Sequence, residues 1–92
     1  MATIQFEKPF AMSPEEVRAG IEKLGQSLQQ QQGIQYRWEN DDRVVFQHKA
    51  AKGYIQIHAA KVELEIKVGM LYSAMAPMMR SKIKEVADKY IT

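Results

Sequence analysis

The sequence contains no cysteine, which excludes disulfide bonds, thiolate zinc sites and a cysteine nucleophile. Two histidines are present, so imidazole chemistry has few possible locations. The 13 basic and 11 acidic residues nearly balance, and both signs are interspersed along the chain. Such a distribution does not predict a dedicated nucleic-acid surface, and we expect no nucleic-acid partner.

Long apolar segments are also absent. The N-terminal residues, MATIQFEKPF, lack the basic start and the apolar run of a signal peptide. No stretch approaches the roughly 20 apolar residues that a membrane-spanning helix needs. A length of 92 residues suits one domain, and a hydrophobic content of 46% is typical of globular proteins. We therefore expect a single domain over residues 1–92, located in the cytoplasm.

The first two predicted elements are a strand and a helix. Alternation over residues 3–8 predicts a strand that ends at Pro9. The segment Ser13-Pro14-Glu15-Glu16 has the N-cap serine, early proline and third-position glutamate of a capped helix start. Gly33 is suited to the C-terminal cap. Apolar residues at helical spacing predict one buried stripe, formed by Val17, Ile21, Leu24 and Leu28.

Two glycines lie inside this predicted helix. Gly20 and Gly25 each cost about 1 kcal/mol of helix stability relative to alanine. Alternatively, the two glycines do not merely lower the stability of the helix but mark a close approach of the helix to the sheet.

Four further strands are predicted by alternation, over residues 34–39, 44–48, 54–58 and 62–68. Turns at residues 40–42 and 59–60 and a loop over residues 49–52 separate them. In the predicted register Tyr36 lies opposite Phe46, which in turn lies opposite Ile55. Ile57 lies opposite Val62. This register places apolar residues on one face and polar residues on a solvated face, and the first strand can join either edge.

The C-terminal part has helical periodicity from Leu71 to Ile91, interrupted by Pro77. Either the helix is kinked at the proline, or a short turn precedes a helix that starts near Ala76. The predicted fold class is α+β with the order β-α-β-β-β-β-α. Two helices cover one face of an antiparallel sheet, as in a shortened helix-grip fold, in two layers around one core.

Residues suited to catalysis or metal binding do not converge in this pattern. His48 falls on the inward face and His58 on the outward face of their strands, so a shared metal site is not expected. Glu63 and Glu65 share the solvated face with lysines, which favours surface charge pairs over acid–base chemistry. We expect no enzymatic activity, no catalytic residue, no metal and no cofactor.

The segment from Gly69 to Met79 is unusual because it holds four of the six methionines. Methionine fills irregular cores and also forms adaptable binding surfaces. Since a helix that is apolar on nearly all sides cannot bury every side against one sheet, part of this segment is either exposed or covered by a partner. The alternative is a covered helix start within the core. The candidate interaction surface consists of Met70, Leu71, Tyr72, Met75, Met78 and Met79.

Several segments resemble the small polyhydroxyalkanoic acid system proteins. They are Lys8-Pro9, Tyr36-Arg37-Trp38-Glu39, Phe46, Gly53 with the strand that follows, and the stretch from Val62 to Ser73. The resemblance covers nearly the whole chain. One departure is Phe10, where members of that family often have histidine after the Lys-Pro pair.

The resemblance implies a bacterial, cytoplasmic, non-enzymatic accessory protein of polyhydroxyalkanoate metabolism. Its partners would be the storage granule or proteins on the granule surface, and the family supplies no catalytic residues. Two alternatives stay open. One is a module for a small apolar ligand held between the sheet and the C-terminal helix, in a pocket lined by Trp38, Phe46, Ile55 and Leu71. The other is a homodimer or interaction subunit that uses the methionine-rich helix or an exposed sheet edge.

Overall fold

The structure, a computed structural model, describes residues 2–49 and 51–91. The elements follow the predicted order β-α-β-β-β-β-α, with a short 3-10 helix before the last one. They are β1 (Ala2–Pro9), α1 (Pro14–Gln32), β2 (Gln35–Asn40), β3 (Arg43–Gln47), β4 (Ala51–Ile57), β5 (Lys61–Val68), the 3-10 helix (Met70–Met75) and α2 (Ala76–Tyr90). The predicted α+β class is thus confirmed.

All described strands form one antiparallel sheet in the order β1-β5-β4-β3-β2. The first strand therefore joins the β5 edge of the meander, with Ile4 opposite Ile66 and Phe6 opposite Leu64. These pairs put the apolar residues of β1 on the face already used by β5. The two outer strands of the described sheet are β1 and β2.

The predicted register is confirmed at two of the three hairpins and wrong at the third. Tyr36 lies opposite Phe46, and Ile57 lies opposite Val62, as expected. Phe46, however, lies opposite Gly53 and not opposite Ile55. The hairpin closes inside the predicted loop, because the backbone N–H of Ala51 donates to the carbonyl of His48 at 3.2 Å. A shift of two residues keeps every side chain on its face, so the apolar pattern cannot distinguish the two registers.

Helix α1 begins and ends where its cap residues predict. The N–H of Glu16 donates to Ser13 Oγ at 3.2 Å, and the N–H of Ser13 donates to Glu16 Oε1 at 3.2 Å. This reciprocal pair satisfies two of the unpaired donors at the helix start. At the other end, Gly33 has φ of 69° and its N–H donates to the carbonyl of Gln29. A left-handed glycine after the last turn is a common helix stop.

One core lies between the sheet and the two helices. The stripe predicted on α1 is buried in full, and Leu24 and Val17 are 0% exposed. The sheet and α2 complete the core with Ile4, Val44, Phe46, Ile55, Val62, Leu64, Ile66, Val68, Ile83 and Val86. No polar or charged residue is buried among the residues that the structure describes. The interior between the layers is therefore held together by the burial of apolar area.

The two glycines of α1 lie at close approaches to two different elements. A Cβ atom at Gly25 would lie 2.9 Å from the ring of Tyr36 in β2. A Cβ atom at Gly20 would lie 2.4 Å from the carbonyl oxygen of Tyr90 in α2. The expected approach to the sheet thus occurs at Gly25, whereas Gly20 allows the two helices to meet.

The C-terminal segment takes the second of the two predicted forms. A 3-10 helix over Met70–Met75 precedes α2, which begins at Ala76 with Pro77 in its first turn. Proline is tolerated there because the first N–H groups of a helix have no intrahelical acceptor.

Candidate interaction surface

The exposed large hydrophobic side chains of the described residues all lie between Met70 and Met78. Their exposed fractions are 78% for Met70, 92% for Leu71, 48% for Met75 and 71% for Met78. Single exposed hydrophobic residues are normal on a protein surface, whereas several that are close together in the chain are a candidate contact surface. We call these four residues, together with Tyr72 and Met79, the methionine patch.

The 3-10 helix explains why the patch is exposed. Val68 at the end of β5 is 0% exposed and Ala76 at the start of α2 is buried, but no residue described between Met70 and Met75 is buried. The segment is held by local hydrogen bonds, from the N–H of Tyr72 to the carbonyl of Gly69 at 2.9 Å and from Ser73 Oγ to the carbonyl of Met70 at 3.1 Å. The chain therefore leaves the core for two turns, and its apolar side chains face solvent.

The remaining two members of the candidate surface connect the patch to the core. Tyr72 and Met79 are half-buried and pack against the core cluster. Of the predicted surface residues, four thus project into solvent and two form the base of the patch. All six lie in the 3-10 helix and the start of α2.

Basic residues follow the patch along α2. The guanidinium of Arg80 lies 5.8 Å from the centroid of the Phe6 ring, and Lys84 Nζ lies 3.4 Å from Asp88 Oδ2. Lys8 Nζ of β1 also forms an ion pair with Asp88 Oδ1 at 2.9 Å. The hydrogen bond from Lys8 is the main reason why the pKa of Asp88 lies below its ordinary value. Charged groups thus border the patch on its α2 side.

The structure does not bring the four predicted pocket residues together. Ile55 and Phe46 are buried in the packed core, Trp38 is half-buried at the sheet edge, and Leu71 is 92% exposed. Leu71 belongs to the methionine patch because the 3-10 helix turns it away from the sheet.

The space between the sheet and α2 is also small. The gap between Phe46, Met79 and Ile83 has a volume of about 20 Å³. Sites for small ligands usually span about 300–1,000 Å³. A gap of this size has room for about one water molecule. The ligand-module alternative would therefore need an opening of the two layers.

A polar cluster that the sequence analysis missed ties α1 to the edge strand β2. Glu22 accepts hydrogen bonds from the Tyr36 hydroxyl and from Trp38 Nε1, the latter at 3.1 Å. Tyr36 and Trp38 were both predicted to point inward, where their polar atoms need acceptors. Glu22 directly follows Ile21 and therefore lies at the border of the buried stripe of α1. This position is the feature of the sequence from which its contact with β2 could have been predicted.

This cluster makes stability depend on pH in the alkaline range. Burial, and next the hydrogen bond to Glu22, raise the pKa of Tyr36 to about 12 from an ordinary value of 10.0. Because the folded state favours the neutral phenol, its contribution to stability is complete below pH 10 and is lost as the pH rises towards 12. We expect the free energy of unfolding, measured with urea between pH 9 and 12, to fall more steeply for the wild type than for Tyr36→Phe. Parallel curves would contradict this assignment.

The outer face of the sheet carries paired charges. Glu63 Oε1 lies 3.0 Å from His58 Nε2, and Lys61 Nζ donates to Glu7 at 2.6 Å. Hydrogen bonding to Glu65 is the main reason why the pKa of Tyr54 lies above its ordinary value. Within residues 2–49 and 51–91, no group of three or more metal-ligating side chains could hold a metal ion. None of the helices in the described chain has the length and apolar character needed to cross a membrane.

A family model described as "Putative polyhydroxyalkanoic acid system protein" matches residues 4–91 of the chain. The matched range includes the methionine patch and every strand except the first residues of β1. No curated protein and no solved structure matches the chain.

Proposed function

The chain belongs to the polyhydroxyalkanoic acid system protein family, and from this membership we propose a non-enzymatic accessory role in polyhydroxyalkanoate metabolism at the granule surface. The resemblance noted in the sequence is thereby confirmed at the level of the family. The observation that supports the surface role is the methionine patch. A role at the granule corresponds to a location in the cytoplasm, which is part of the proposal.

The patch has the chemistry expected for contact with an apolar and irregular surface. Methionine is unbranched and polarizable, so Met70, Met75 and Met78 can adapt to a surface without a fixed shape. Full burial of one methionine or leucine side chain contributes about 1.5–3 kcal/mol. Covering the four exposed side chains would therefore supply several kcal/mol for association with a polyester surface or with an apolar patch on a granule protein.

The arrangement of titratable groups supports the non-enzymatic part of the proposal. His58 and Glu63 form a pair at the exposed end of the β4–β5 hairpin. Glu22 has both carboxylate oxygens in hydrogen bonds, one to Tyr36 and one to Trp38. Acid–base catalysis needs a group within reach of a bound substrate. These contacts instead serve to hold elements together.

A pelleting experiment tests the proposal. Purified protein is mixed with washed polyhydroxyalkanoate granules and, separately, with bare polymer particles, and the sedimented fraction is measured. We expect the variant Met70→Gln/Leu71→Gln/Met78→Gln to bind at least about ten-fold more weakly than the wild type, because three exposed apolar side chains lose their contacts.

The matched control removes charge next to the patch instead of apolar surface. The variant Lys82→Gln/Lys84→Gln should bind within about three-fold of the wild type, since screened surface charges contribute little. Binding of the wild type to bare polymer would identify the polymer as the partner, and binding to granules alone would identify a granule protein. Absence of binding to both, or wild-type binding by the triple variant, would overturn the proposal.

A further inference from the structure

The two edge strands of the sheet differ in how they are protected from pairing. On β1, Lys8 points to the core side and forms an ion pair with Asp88 at 2.9 Å, and Pro9 has no N–H to donate. Inward charges and prolines are common means of blocking an edge strand. On β2, the residues from Gln35 to Asn40 include no proline and no charged residue on the core face, and the feature of this kind that the strand does have is the register shift between Trp38 and Asn40. In the described sheet β2 pairs only with β3, so its second side lacks a strand partner.

The core is open to solvent along β2. Tyr36 and Trp38 point to the core face but remain half-buried. On β3, Phe46 opposite Tyr36 is 6% exposed and Val44 opposite Trp38 is 0% exposed. A groove beside Trp38 is bordered by α1 on one side and by Asn40 on the other. The aromatic residues of this edge would gain cover from a further strand.

The charges on the outer face of β2 are self-complementary in one antiparallel register. When Trp38 lies opposite Trp38 of a second copy, Arg37 lies opposite Glu39 of that copy, and the pair occurs twice by symmetry. The neighbouring registers that keep the faces matched place Arg37 opposite Arg37, or Glu39 opposite Glu39. Arg37 is exposed and has no ion pair among the described residues, whereas Glu39 already pairs with Arg43 of its own chain at 2.9 Å and would be shared between the two arginines.

We propose that two copies of this chain associate through β2 in this register and form one continuous ten-stranded sheet. A cross-strand pair of Trp38 residues lies at the two-fold axis, flanked by two Arg37–Glu39 ion pairs. The register between β2 and β3 shifts between Trp38 and Asn40, so Glu39 lies at an irregularity inside the new pairing, which spans about five residues on each strand. The methionine patch takes no part in this contact.

The mass of the chain in solution, measured by light scattering over a range of concentrations, tests the dimer. We expect the mass to rise from 10.6 kDa towards twice that value with increasing concentration. The fluorescence of Trp38, the one tryptophan of the sequence, should shift to shorter wavelength over the same range. A mass that stays at that of the monomer up to about 1 mM, where even weak association is populated, would overturn the proposal.

Charge reversal tests the register. Arg37→Glu and Glu39→Arg each create two like-charge contacts, so each variant alone should dimerise at least about ten-fold more weakly. An equimolar mixture of the two variants again places opposite charges in contact at both positions. The mixture should form a heterodimer with affinity within about three-fold of the wild type.

The control variant is Lys52→Glu, which makes the same reversal of charge on the outer face of β4, away from the edge. It should dimerise like the wild type, and circular dichroism should show all variants to be folded. Dimerisation of the single variants at wild-type strength, or a mixture that stays monomeric, would overturn the proposed register. The methionine-patch triple variant should keep the dimer while losing granule binding, so failure of one proposal leaves the other intact.

Discussion

Leu24→Ala is expected to lower the free energy of unfolding by about 3–4 kcal/mol, because Leu24 is 0% exposed at the centre of the α1 stripe. Truncation of a buried leucine removes apolar contacts and leaves a cavity that the surroundings fill only in part. For a chain of 92 residues this is a large share of the total stability. Urea unfolding monitored by circular dichroism measures the change.

The same substitution at Leu71 provides the control. Leu71 is 92% exposed, so Leu71→Ala should change the free energy of unfolding by less than about 0.5 kcal/mol. It should nevertheless weaken granule binding, because the leucine would be covered there. A loss of stability at Leu71 comparable to that at Leu24 would show that the 3-10 helix packs into the core and would remove the basis of the methionine patch.

Gly53→Ala is expected to destabilise the protein by about 3 kcal/mol through crowding between β4 and β5. A Cβ atom at this position would lie 2.1 Å from the carbonyl oxygen of Glu65 and 2.8 Å from the Cα atom of Ile66. These are backbone atoms of a paired strand, so relief requires the strands to separate or tilt. Thermal unfolding should therefore show a markedly lower midpoint for the variant.

Gly33→Ala separates this steric effect from backbone strain. Gly33 has φ of 69° and no heavy atom within 4 Å of the position that a Cβ would occupy, so its replacement costs only about 1 kcal/mol. If both variants lose the same stability, the close approach at Gly53 has been absorbed by a small backbone movement, and the crowding argument is contradicted.

Structural features that depend only on neighbouring residues were predicted correctly. The caps of α1 at Ser13 and Gly33 act within a few residues of themselves, and the structure confirms both. The alternation in β2 to β5 also placed each residue on its observed face, since side-chain direction in a strand repeats every two residues. The register between β3 and β4 was wrong because it depends on where the hairpin closes, and Ala51 and Lys52 were predicted to lie in a loop.

The candidate interaction surface likewise has some features that the sequence shows and others that only the tertiary structure decides. The density of methionines between residues 70 and 79 is visible in the sequence, but it left open whether this segment is exposed or covered within the core. The pocket assignment of Leu71 rested on helical periodicity that includes residue 71, whereas the structure has a 3-10 helix there and leaves that side chain in solvent. The role of Glu22 depended on the meeting of α1 and β2, which are adjacent in the chain but whose packing angle is not encoded locally.

The sequence by itself determined the order of the elements, the ends of α1, the two faces of the sheet and the residues of the core. These features follow from short-range hydrogen bonding and from the spacing of apolar residues. Only the tertiary structure decided that β1 joins β5, that β2 remains an open edge and that the methionine patch faces solvent. These outcomes depend on contacts between residues far apart in the chain, such as Ala2 opposite Val68, and local patterns of apolar residues do not encode such contacts.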